Sequence, residues 1–265
     1  MISIMIHPRI LGVRFDGASM DEVLDMVGGF LRSGTSHMVV TPNPEICVVG
    51  YHDLAYRFIL ARADLSIPDG FGILWAARYL DGQRGFLRWI WTLLTPWWNT
   101  ALSPLKERVT GVDVMTAICT RYANQKIFLL GASEAVNSRT AEVLRERFDA
   151  NVVGNFSGSD REEEEEIILE MIQRSSATIV FVAFGAPKQE RWMYRNLSRM
   201  NGVRVVMGVG GAFDFLIGYR RRAPLFLRRL GVEWLFRLFL QPSRMSRIWR
   251  AVVRFPWLVL RVKDE

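Results

Sequence analysis

Four short, largely apolar runs most constrain the fold: His37–Thr41, Lys126–Leu130, Thr178–Ala183 and Val203–Met207. They do not alternate apolar with polar, so each reads as a strand buried on both faces. Helical stretches lie between them at Glu45–Ala61, Phe71–Leu80, Val112–Asn124, Ala135–Phe148, Arg161–Arg174 and Lys188–Met200. Asp64–Ile67 and Asn151–Val153 add two shorter strands. This alternation predicts an α/β fold, a Rossmann-like parallel sheet with helices on both faces. At 265 residues the chain is long enough for one large domain or two small ones.

Charge divides the chain in two. The net charge is +7, from 34 Lys+Arg and 27 Asp+Glu. Residues from Arg220 onward hold 12 basic and 3 acidic groups, a net of +9, whereas residues 1–219 carry a net of −2. The expected organisation is a near-neutral core over 1–219, with a Trp-rich segment at 86–102, and a basic amphipathic helical appendage over 220–265. Projected as a helix, Ser243–Phe255 places Arg244, Arg247, Arg250 and Arg254 on one side. Met245, Ile248, Trp249, Val252 and Phe255 fall on the other. Such a helix suits a membrane interface; the plainer reading is a stripe packed on the body. The aromatics sit within Leu, Val and Phe runs, which fits hydrocarbon better than base stacking. Nucleic acid is therefore not an expected partner.

Other classes lose support. Two cysteines, Cys47 and Cys119, make no disulfide framework and suit a reducing compartment. Met1–Ile10 lacks a long apolar core and a small-residue cleavage site, so no signal peptide is expected. No run approaches the ~20 apolar residues of a membrane span. The chain contains no H-E-x-x-H, G-x-S-x-G or D-x-D sequence, and no G-x-G-x-x-G follows Lys126–Leu130. No metal site and no cofactor are expected.

Ligands of an open parallel sheet bind outside the carboxyl ends of its strands. Five such ends carry Gly or Pro beside a polar group. Asp69, between Pro68 and Gly70, is the candidate general base, or else a helix or turn cap. Thr41 and Asn43 either hydrogen-bond a sugar or cap the next helix. Gln189 either reads sugar hydroxyls or sits on a solvated first turn, and Lys188 and Glu190 read as exposed helix residues. Gly131 opens a helix that can bind a diphosphate. Gly185, Gly210 and Asp214 complete the set of strand ends. Arg220, Arg221 and Arg222 can pair with phosphates, since guanidinium binds oxyanions bidentately.

Together these motifs resemble one family. Thr41-Pro42-Asn43-Pro44-Glu45, Ile67-Pro68-Asp69-Gly70, the segment Glu107–Asp113, the segment Phe184–Glu190, the segment Gly208–Asp214, Arg222-Ala223-Pro224, and Glu233–Arg237 with Gln241–Arg244 are similar to those of the WecG/TagA/CpsF glycosyltransferases. The resemblance runs from about Ile10 to Arg250. It implies an inverting transfer of an N-acetylmannosamine-type or related hexose from a UDP-sugar. The acceptor would be a polyprenyl-diphosphate-linked sugar in cell-surface polysaccharide or teichoic acid synthesis. It further implies a C-terminal appendage that reaches an anionic membrane, hence a peripheral enzyme on the inner face of the bacterial plasma membrane. Under the resemblance Asp69 matches the general base, and Thr41, Asn43 and Gln189 match pocket residues. Arg222, Arg237 and Arg244 match appendage arginines suited to a diphosphate. The 86–102 segment departs from the family pattern and fits a membrane contact, a packed loop or a subunit contact. Asn155–Ser159 departs as well, at a place that bears on donor preference. Homo-oligomerisation stays open.

Overall fold

The computed structural model describes residues 7–82, 85–94, 105, 109–220, 223–224, 227 and 233–262. At residues 91, 93, 94, 237 and 242 it describes the backbone alone.

A hairpin of β1 (Arg9–Ile10) and β2 (Val13–Arg14) precedes α1 (Met20–Arg32). The α/β core follows: β3 (His37–Val40), α2 (Pro44–His52), α3 (Leu54–Ala61), β4 (Leu65–Ser66), α4 (Phe71–Leu80) and α5 (Phe86–Leu94). It continues with α6 (Gly111–Arg121), β5 (Ile127–Gly131), α7 (Glu134–Phe148), β6 (Val152–Phe156) and α8 (Glu162–Ser175). Then come β7 (Ile179–Ala183), α9 (Lys188–Asn196), β8 (Val205–Gly208) and α10 (Ala212–Leu216). The six-stranded sheet has the order β4-β3-β8-β7-β5-β6, and every neighbouring pair is parallel.

Strand side chains of the sheet alternate between two cores, which is why its central strands are almost wholly apolar. Met38, Val40, Phe128, Leu130, Val180, Val182 and Val206 face one core, shared with α2, α3, α4, α8 and α9. Val39, Leu65, Ile127, Leu129, Ile179, Phe181, Val205 and Met207 face the other, shared with α1, α6, α7 and α10. The expected Rossmann-like sheet with helices on both faces is present. Adjacent strands β3 and β8 lead to helices on opposite faces, and so do β5 and β7. Such reversals open crevices at the carboxyl ends of the strands.

Several elements differ from the sequence reading. Glu45–Ala61 is two helices, because Asp53 ends α2 and then caps α3, its carboxylate accepting from Tyr56 N–H at 2.9 Å. Helix α1 and the β1–β2 hairpin were not expected. Ser19 and Glu22 form a capping box at the start of α1, a spacing visible in the sequence. The helix expected to stop at Phe255 continues. After α11 (Glu233–Leu240) and a 3₁₀ turn at Pro242–Arg244, α12 (Met245–Trp249) passes through a π turn (Arg250–Arg254) into α13 (Phe255–Arg261). Pro256 has no N–H and would clash with an ordinary preceding turn; the wider π turn accommodates it.

The C-terminal helices do not stand apart from the core. Phe255 and Val259 are fully buried beside α2 and α4. The Phe255 ring meets Trp75 edge-on at 6.3 Å. Helix α5, the described part of the Trp-rich segment, closes the same corner. Trp89 Nε1 donates to the Pro256 carbonyl at 3.0 Å, and Trp75 Nε1 donates to Thr92 Oγ1 at 3.1 Å. Residues 95–104, with Trp97 and Trp98, lie outside the described residues. Among the described residues no helix is long and apolar enough to cross a membrane.

Candidate active site

The loops after β3 and β4 run side by side and set the site. Ile67 N–H donates to the Val40 carbonyl at 2.9 Å, and Asp69 N–H to the Pro42 carbonyl at 3.1 Å. This pairing brings Asp69 next to Asn43. Gly70 follows at φ +104°, a conformation that side chains rarely adopt, and it is the cap residue of α4 without any side-chain cap.

Asp69 lies where two cavities meet. One, of about 190 Å³, opens at the carboxyl ends of the strands. Thr41 enters it from β3, Gly185 and Gln189 from the β7–α9 turn, and Gly210 and Gly211 from the β8–α10 turn. Gly111 and Val112 bring the N-terminus of α6 to its wall, and Arg220 adds a cation. Helix N-termini favour anions. The second cavity, of about 260 Å³, lies under the C-terminal helices. Phe71, Trp75, Ile248, Val252 and Pro256 make it largely apolar. Asn43, Glu45, Asp69, Glu233, Arg244 and Arg247 line both.

Arg247 of α12 and Arg250 of the π turn reach toward this junction. Arg250 Nη2 approaches Glu45 Oε1 at 3.3 Å, and Arg247 Nε does so at 3.7 Å. Met245, Trp249, Val253 and Trp257, spaced by four, are 61%, 61%, 43% and 45% exposed. A π turn takes more than four residues and an α turn fewer, so their opposite drifts keep this row together. The apolar side expected on one helix thus divides. Phe255 packs on the body, Ile248 and Val252 line the apolar cavity, and the Met245–Trp257 row faces outward.

The other candidate residues are distributed around this centre. Asn43 Oδ1 caps α2 by accepting from Ile46 N–H at 3.0 Å, while the residue also lines both cavities. Thr41 Oγ1 donates to the Gly208 carbonyl at 3.4 Å. Gln189 is 3% exposed, not on a solvated turn; its Oε1 accepts from Gly210 N–H at 2.9 Å and Gly185 N–H at 3.2 Å. Gly131 stands outside the cavity lining. A Cβ there would lie 2.8 Å from the Ala183 backbone, so this glycine serves the close approach of β5 and β7. Asp214 acts from behind, its Oδ2 3.4 Å from Nε of Arg220. Arg222 lies outside the described residues, as does the side chain of Arg237.

Glu190 corrects an expectation. It is not an exposed helix residue but 1% exposed, accepting from Gln189 Nε2 at 2.8 Å and from Tyr56 O–H at 3.0 Å. Burial pushes its carboxyl above the ordinary range, and the two donors pull it partly back. Lys188 is exposed as expected and pairs with Asp160 at 3.0 Å. Glu45, Arg247 and Tyr56 were also missed. Glu45 is signalled only by its place in the Thr41–Glu45 motif, and Tyr56 by nothing in its neighbourhood. Burial pushes the Cys119 thiol up to about 12 and the Cys47 thiol upward as well, so neither is a ready nucleophile. Among the described residues no three His, Cys, Asp or Glu side chains gather as a metal site requires.

Comparison with known proteins fixes the lineage. The model of the glycosyl transferase WecG/TagA/CpsF family matches residues 8–96 and 86–264, two stretches that overlap at 86–96. The chain belongs to this family. Two WecG/TagA/CpsF relatives come from Staphylococcus aureus, strains MRSA252 and NCTC 8325. Each is named an N-acetylglucosaminyldiphosphoundecaprenol N-acetyl-beta-D-mannosaminyltransferase. Each is 27% identical over 261 residues, covering 97% of this chain and 93% of the relative. In this WecG/TagA/CpsF family member, Asp69 stands where the polar and the apolar cavity join.

Proposed function

We propose that the chain transfers an N-acetylmannosamine-type or related hexose from a UDP-sugar to a polyprenyl-diphosphate-linked sugar, with inversion. The observation that carries this reading is the position of Asp69 at the junction of a polar and an apolar cavity. The polar cavity receives the nucleotide sugar, and the apolar one receives the first units of the lipid. Asp69 takes the proton from the acceptor hydroxyl as that oxygen attacks the anomeric carbon. The glycosyl–phosphate bond breaks on the opposite side, and UDP departs with the electron pair. Backbone N–H groups at the start of α6 and the Arg220 guanidinium offset its charge, without a bound metal. Arg244 and Arg247 face the lipid diphosphate.

The same reading makes the protein peripheral on the inner face of the plasma membrane. The exposed Met245–Trp257 row, with Arg254 and Arg261 exposed beside it, suits a headgroup interface. The test is a panel of sugar nucleotides with a short-chain polyprenyl-diphosphate-linked N-acetylglucosamine, read by UDP release and product anomeric configuration. Release with one UDP-sugar and an inverted product supports the proposal. No release from any member overturns it. Turnover that chelation abolishes and a divalent ion restores overturns the metal-free step.

A further inference from the structure

Beyond the backbone bond from Val209 N–H to the Val182 carbonyl, one side chain bridges the turns after β7 and β8. Gln189 Oε1 accepts both Gly210 N–H and Gly185 N–H. These two glycines have φ of +51° and +79°, and they form one wall of the polar cavity. Gln189 reaches both loops by lying against Gly208, where a Cβ would sit 2.7 Å from its Nε2.

An amide has an accepting end and a donating end of nearly equal size. Turned over, Gln189 would set its NH₂ group against two N–H donors. What selects the observed orientation is the buried carboxylate next to it, because Glu190 Oε1 accepts from Gln189 Nε2 at 2.8 Å. Tyr56, from α3, holds the other oxygen at 3.0 Å and fixes the carboxylate plane. All three side chains are buried, where an unmet donor or acceptor is costly.

We propose that Glu190 is a positioning residue of the transfer reaction: it orients the Gln189 amide, which holds the Gly185 and Gly210 turns in the shape that receives the nucleotide sugar. The positioning chain is Tyr56 to Glu190 to Gln189 to the two turns. This deepens the proposed function and rests on it for the identity of the ligand. The orienting role itself is measurable without any ligand.

The experiment compares wild type with Glu190→Met, Glu190→Gln and Tyr56→Phe in the full chain. Residue-resolved amide exchange is recorded first, without substrate. In Glu190→Met the Gly185 and Gly210 amides should exchange about tenfold faster, while β5 and β7 amides stay within about twofold of wild type. Glu190→Gln still offers an accepting oxygen to Gln189, and the Tyr56 hydroxyl oxygen can accept from its NH₂ group, so protection should return. Tyr56→Phe, the milder change, should accelerate the same two amides by about threefold. Kinetics with the active UDP-sugar should then show a donor KM raised about tenfold in Glu190→Met, with kcat and acceptor KM little changed, and restored in Glu190→Gln. Unchanged exchange at Gly185 and Gly210 in both Glu190→Met and Tyr56→Phe overturns the proposal. So does a Glu190→Gln protein as defective as Glu190→Met. If wild type uses no UDP-sugar, the transferase reading fails while the exchange result still decides the orienting role.

Discussion

Replacing Phe255 by Ala should detach the C-terminal helix from the body and leave the sheet folded. Phe255 is fully buried, meets Trp75 edge-on at 6.3 Å, and approaches Gly72, where a Cβ would lie 3.7 Å from its ring. Deleting a buried phenyl group costs about 3–5 kcal/mol, the edge-to-face contact included. Helix α13 holds the body through Phe255, Val259 and the Trp89–Pro256 hydrogen bond. The loss therefore falls on this docking equilibrium. At ~1.4 kcal/mol per decade, even the lower figure raises the undocked population about 100-fold. Amide exchange along Met245–Arg261 should accelerate by up to that factor, while β5 and β7 keep wild-type protection. Acceptor KM should rise more than donor KM, because the tail roofs the apolar cavity and gives the polar one only Glu233, Arg244 and Arg247. Equal acceleration in the central strands would show that the tail and sheet unfold as one unit. A change under about threefold in the tail would show that Phe255 does not anchor it.

Other predictions concern single interactions. Gly131→Ala should destabilise the fold by about 1–3 kcal/mol from its φ of +97° alone, with further loss from overlap with Ala183; a denaturant midpoint equal to wild type would refute this. Glu45→Gln should weaken tail docking by about 0.2–1 kcal/mol, and the difference should fade at high salt; a salt-independent difference in tail exchange would contradict the ionic account. Glu190 has its folded pKa raised by burial, so its ionisation destabilises the folded state as pH climbs from about 4.3 toward that raised value. The stability of Glu190→Gln relative to wild type should therefore improve with rising pH over that window; a difference independent of pH would refute it.

The sheet was legible because its central strands are almost wholly apolar, and that pattern requires cover on both faces. The strand ends were legible because Gly and Pro mark them, which led directly to Asp69, Thr41, Asn43, Gly185 and Gly210. What the sequence hid was depth. Lys188, Gln189 and Glu190 are adjacent polar residues, yet one is solvated and two are buried; only the packing of Tyr56 from α3 separates them. The tail was hidden in a similar way. Its arginines and aromatics segregate clearly in projection, but which side meets the core depends on Glu45, some 200 positions earlier. The helix projected over Ser243–Phe255 runs on past Pro256 through a π turn that has no signature of its own. Gly131 was read only as opening a helix that can bind a diphosphate; that it also permits two strands to approach closely had no signal in the sequence.

The central claim is that Asp69 deprotonates the acceptor where the two cavities meet. Its most direct test is single-turnover transfer by Asp69→Asn with the active UDP-sugar and the lipid-linked acceptor both saturating. The account predicts a rate lower by about 10²–10⁴, with both substrates still bound and the fold intact. A correctly folded Asp69→Asn protein that turns over at the wild-type rate would contradict it.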